Sequence, residues 1–158
     1  MICTICSGFI EKSLWLIPLA PRDSKYDVLA DTDINEKKAR ALALAADECW
    51  KAINAQDIDA WGKACTASFE AQTAMFPNMI SPHVEKAINE YKDHVKGYKI
   101  TGAGGGGYLV IINDEPIKNA IQIYAIVTII VVICASVPTK KFVRIVETAT
   151  SAGTGNKP

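Results

Sequence analysis

The sequence predicts an α+β fold, and three observations carry the prediction. A short apolar run at residues 14–20 reads as a strand, and three segments with apolar residues at helical spacing follow it. Two strand-like runs then flank a glycine-rich stretch at residues 102–107. A strand, a block of helices and a β meander make an α+β core. At 158 residues there is room for one domain, or for one domain and a tail.

The first strand ends at Pro21, and residues 21–32 are polar and turn-rich, a loop. Asp33-x-x-Glu36 has the form of a capping box with aspartate as N-cap. Leu42, Ala46, Cys49 and Ile53 then recur at helical spacing, to an end near Asn54. Asp57 caps a second helix that sets Trp61, Cys65, Phe69 and Phe76 near one face, and Pro77 ends or bends it. Ser81-Pro82 opens a third, with serine as N-cap and proline at the first helical position. Val84, Ile88, Tyr91 and Val95 form its stripe, and Gly97 is its stop. Trp50 and Trp61 fall at buried-helix positions and read as core rather than as a sugar platform. Residues 98–101 and 108–112 are strands into and out of the glycine stretch, 113–116 is a turn, and 117–124 is a further strand. Residues 151–158 are polar and expected to be disordered.

Composition narrows the function classes. Lys plus Arg balance Asp plus Glu at 17 each, and no basic block marks a nucleic-acid surface. Five scattered cysteines do not make a disulfide framework, so reduced thiols and a cytoplasmic setting are expected. Cys3-x-x-Cys6 is the close pair, but the histidines that would complete a zinc site are limited to His83 and His94, and no metal is expected. His83, in the first turn of the third helix, has no visible partner and reads as solvated. Residues 1–13 lack the charge pattern of a signal peptide. Residues 119–139 carry no charge and approach the roughly 20 residues of a membrane span. Their β-branched character favours buried strands instead.

The glycine run, Gly102-Ala103-Gly104-Gly105-Gly106-Gly107, holds five of the ten glycines. Such density is not expected in a core, because glycine has no side chain and loses most entropy on folding. It fits tight turns, positive φ, or close approach to a phosphate. Gly102-x-Gly104-x-x-Gly107 matches the dinucleotide fingerprint in form, but that motif opens a helix and needs an acid about 20 residues on. Here a strand follows, and the next acid after Glu115 is Glu147. The spacing of Gly102 and Gly107 also fits a Walker A loop, yet Tyr108 and Leu109 occupy its Lys and Ser/Thr positions. A β-loop-β element whose backbone N–H groups form an anion-binding concavity remains. Thr101 adds a hydroxyl beside it. Arg22, after the first strand, has the guanidinium geometry for a phosphate. Lys99 alternates with Tyr98 and Ile100, so it points either to solvent or towards a bound nucleotide.

Lys99-Ile100-Thr101 with the glycine run resembles the third conserved motif of the GHMP kinases, the galactokinase, homoserine, mevalonate and phosphomevalonate kinase superfamily. Residues 14–124 are similar to the C-terminal part of its fucokinase and heptose-phosphate kinase members. Pro21-Arg22-Asp23, Tyr26-Asp27-Val28-Leu29 and Cys49-Trp50 add to the likeness. The resemblance implies a ferredoxin-like domain, an antiparallel sheet packed with helices. It implies ATP and Mg²⁺, a sugar or sugar phosphate as acceptor, and Thr101, Gly102, Ala103, Gly104, Gly105, Gly106 and Gly107 on the phosphate side. Arg22 and Lys99 are the candidate substrate contacts.

The family's glycine- and serine-rich nucleotide loop, of the G-L-G-S-S type, does not occur in these 158 residues. The resemblance therefore implies a fragment that needs the missing N-terminal kinase domain and is inactive alone, with no catalytic base assigned. Residues 1–13 fall outside it as a leader, and residues 125–158 as an apolar extension and polar tail. Two further readings stay open: a non-catalytic binding or regulatory module, and a remnant tethered to a membrane by residues 119–139.

Overall fold

The computed structural model describes residues 4–22, 26, 27, 29–102 and 104–122. Cys3, Asp23, Val28, Ala103, the apolar extension and the polar tail lie outside these residues, as does any continuation of the last strand past Gln122. Among the described residues four α-helices, α1 (Thr4–Ser13), α2 (Glu36–Ala55), α3 (Ile58–Met75) and α4 (Pro82–Tyr91), pack with four strands. The strands are β1 (Leu14–Pro18), β2 (Gly97–Ile100), β3 (Tyr108–Ile112) and β4 (Ile121–Gln122). The fold is α+β, with one sheet of order β2-β3-β1-β4 in which every neighbour is antiparallel.

The period-two alternation of strands sorts the core into two layers. Leu14, Leu16, Val110 and Ile112 face α2 and α3, where they meet Cys49, Ala52, Ile53, Trp61 and Cys65. Trp15, Ile17, Leu109 and Ile111 face the other way, towards Val84, Ala87 and Ile88 of α4. Residues 4–13, assigned from sequence to a leader, form α1. Its Ile10 is fully buried, and Phe9 sits against Trp61 with ring centroids 5.5 Å apart.

The helix caps follow local chemistry. Asp57 accepts the Ala60 N–H and Ser81 accepts the Val84 N–H, as expected of N-caps. At α2 the cap is Asn35, which accepts the Lys38 N–H at 3.1 Å. Asp33 instead ion-pairs with Lys38 and donates its own N–H to Met75. Trp50 is a second correction: it is 44% exposed, because the stripe facing the core runs through Ala46, Cys49 and Ile53. One residue along a helix is about 100° of rotation. α4 ends at Tyr91, well before Gly97, which opens β2 instead. The expected strand at 117–124 is shorter among the described residues: a turn with Asn119 at φ 64° precedes β4.

Two glycines weld α3 to β2. A Cβ on Gly97 would lie 2.0 Å from the Gly62 carbonyl oxygen, and one on Gly62 would lie 2.3 Å from the Lys96 oxygen. Beside them the outward N–H of Tyr98 donates to Thr66 Oγ1 at 3.1 Å.

Candidate functional site

The glycine loop closes the β2–β3 hairpin. The Thr101 N–H donates to the Tyr108 carbonyl at 3.0 Å, and residues 102–107 span the end. Leu19 N–H donates to the Gly107 carbonyl, so the loop also joins the exit of β1. Ala103 lies outside the described residues.

The glycines serve two purposes. Gly102 and Gly107 form an exposed rim, at φ 65° and 91°, where an L-residue costs about 1–2 kcal/mol. Gly104, Gly105 and Gly106 are buried. A Cβ on Gly104 would meet Met79 Cβ at 2.6 Å, and one on Gly106 would meet the Ala20 carbonyl oxygen at 2.6 Å. At Gly105 it would meet the Tyr26 ring at 2.7 Å. The expectation that so many glycines have no packing role is thus revised: three of them let the loop nest against its own chain. That reason was not legible in the run itself, because its neighbours come from distant parts of the sequence.

The loop's polar groups divide the same way. Gly105 donates its N–H to the Met79 carbonyl at 2.9 Å, and its carbonyl accepts Ser81 Oγ at 3.4 Å. Among the described residues the N–H groups of Gly104, Gly106 and Gly107 have no such bond. Thr101 Oγ1 accepts the Tyr108 N–H at 3.2 Å and donates to the Tyr108 carbonyl, so its hydroxyl is occupied in closing the hairpin.

Arg22 is brought to the loop. Its Cδ lies 3.2 Å from where a Gly105 Cβ would stand, and its backbone nitrogen 2.8 Å from that of Gly106. It is exposed and has no ion pair among the described residues. Lys99 goes elsewhere. It is 2% exposed, in register with Val110 on the α2/α3 face, and its Nζ donates to Ser68 Oγ at 2.9 Å. Burial pushes its pKa down, against the pull of the Cys65 and Cys49 thiols. Of the two directions expected for Lys99, solvent is excluded by this burial. His83 is exposed.

No protein-family profile matches the chain. Over 95 residues it is 34% identical to L-fucokinase/L-fucose-1-P guanylyltransferase from Bacteroides fragilis. The relationship is to a sugar kinase. The matched stretch is 60% of this chain and 9% of the kinase relative, so the chain spans under a tenth of that protein's length.

Set beside this sugar-kinase relationship, the site offers backbone donors on a fixed loop and one exposed guanidinium. Among the described residues no group of three His, Cys, Asp or Glu side chains is placed to hold a metal ion. Also among them, no helix is long and apolar enough to cross a membrane. Tyr26, Met79 and Ser81 are the loop-holding residues that sequence reasoning did not assign. Tyr26 was marked by the resemblance, whereas nothing in Asn78-Met79-Ile80 signals a role.

Proposed function

We propose that this chain supplies the glycine-loop half of an ATP-dependent carbohydrate kinase site of the GHMP type. The observation that carries the reading is the 34% identity to a sugar kinase over 95 residues. The β2-β3-β1-β4 order, antiparallel throughout, supports the ferredoxin-like domain of that family. Phosphoryl transfer is achieved mostly by positioning and charge stabilisation. Backbone N–H groups held in a fixed loop supply that without reorganising. In this reading the amides of Gly106 and Gly107 face a phosphate, with the Arg22 guanidinium as a further donor. This reading leaves Lys99 aside, since its buried ammonium is engaged by Ser68. In this reading Mg²⁺ arrives bound to the phosphates of the nucleotide. The acceptor is a sugar, with L-fucose the first to test. The guanylyltransferase activity of the relative is not carried over.

The 158 residues contain no second glycine- and serine-rich nucleotide loop, so the chain alone is expected to turn over nothing. A coupled assay with L-fucose, ATP and Mg²⁺ checks this, and turnover would contradict the half-site claim. Titration of the labelled chain with Mg·ATP is expected to shift the amides of Gly102, Gly106 and Gly107. Loop amides that ignore ATP would remove the phosphate role.

One observation favours a second reading, a non-catalytic binding module. Leu29, Ile80 and Tyr108 are exposed apolar side chains in the segments that surround the loop. Self-association at rising concentration, without nucleotide binding, would select it.

A further inference from the structure

Tyr26 reaches the glycine loop from a segment with no regular secondary structure. Its ring fills the space that a side chain at position 105 would take, with Cε1 at 2.7 Å and Cδ1 at 2.8 Å from that Cβ position. Its hydroxyl donates to the Asn78 carbonyl. The Asn78 amide donates back to the carbonyls of Asp27 and Ala30, at 3.3 and 3.2 Å. The next residue, Met79, accepts the Gly105 N–H. Tyr26, Asn78, Met79 and Gly105 thus form a closed circuit, tied by the Tyr26 hydroxyl from one side and by the Asn78 amide from the other.

We infer that Tyr26 is a positioning residue for the glycine loop. It latches the turn around Asn78 to the segment after β1 and traps Gly105 between them. The Gly105 N–H then points inward to Met79, and the amides of Gly106 and Gly107 are set in one orientation. The functional consequence rests on the phosphate reading above; the latch does not. Losing the hydroxyl removes the bond nearest the ring and leaves the ring and the Asn78 amide bonds in place, whereas losing the ring also empties the space against Gly105. Preorganised donors bind an anion better than donors that must first be ordered.

Residue-resolved hydrogen exchange on the full chain tests the latch, with Y26F and Y26A as variants. In Y26F the Gly105 amide is expected to exchange about tenfold faster, while residues 109–112 of β3 keep their rates. Y26A is expected to go further in the same direction, and Y26F alone decides should Y26A not fold. Unchanged exchange at Gly105 in Y26F, or equal acceleration throughout β3, overturns the latch. A second arm titrates inorganic phosphate and then ATP. Positioning predicts about tenfold weaker binding by Y26F while residues 109–112 keep their exchange rates, which general destabilisation would not produce. Equal affinity in Y26F overturns the positioning role. If the wild-type loop responds to neither anion, the phosphate reading falls and the exchange data still decide the latch.

Discussion

Within the glycine run, residues of one type answer to different forces. Gly102 stands in open space, so the strain of an alanine there is that of the backbone alone. G102A is expected to cost about 1 kcal/mol in urea denaturation. Gly105 has both positive φ and the Tyr26 ring in its way, and G105A is expected to cost about 3 kcal/mol. A small equal effect at both positions would show that the loop does not nest as described. The run itself displayed a need for glycine but not which need, because Tyr26, Met79 and Ala20 are brought to it only by the fold. Lys99 shows the same limit. Alternation placed it on one face of β2, yet only α3, supplying Ser68, decides that this face is interior.

Elements were legible where their signals are local. Asp57 and Ser81 act on amides three residues away, so a few letters suffice to read them. α2 was less readable at its start, where Asp33 and Asn35 both offer a capping oxygen and Lys38 draws the aspartate away. Trp50 was misplaced because a wide apolar helix face does not reveal its centre. The junction of α2 and α3 yields a prediction. Gln56 caps α2 in the left-handed region at φ 55°, donating its N–H to Ala52 and Ile53. Q56G is expected to stabilise the chain by about 1 kcal/mol, and D57A, one residue on, to destabilise it by about 1 kcal/mol. Chemical denaturation of the two variants checks both signs.

At the scale of the whole molecule, titration inside the core couples stability to pH. Burial raises Cys49 to about 11 and Cys65 to about 12, from an ordinary 9.0. Between pH 9 and 11 the unfolded chain sheds these protons and the folded chain keeps them, so stability falls as pH rises. The slope approaches about 1.4 kcal/mol per pH unit for each thiol. Lys99 works the other way. Its folded pKa lies below 10.5, so the unfolded chain holds the extra proton there and stability rises with pH between the two values. Two thiols outweigh one amine, and the net alkaline loss should shrink in a C49A/C65A variant measured by urea midpoints at pH 7, 9 and 10.5. An unchanged slope would place the cause elsewhere. The weld between Gly62 and Gly97 also has a consequence for how this sheet meets other chains. With α3 backbone against Gly97 and Thr66 holding the outward Tyr98 N–H, the start of β2 is closed to a foreign strand. Among the described residues the other edge of the sheet is β4. Recruitment of a further strand, from this chain or another, is therefore favoured on the β4 side, away from the edge that α3 partly covers.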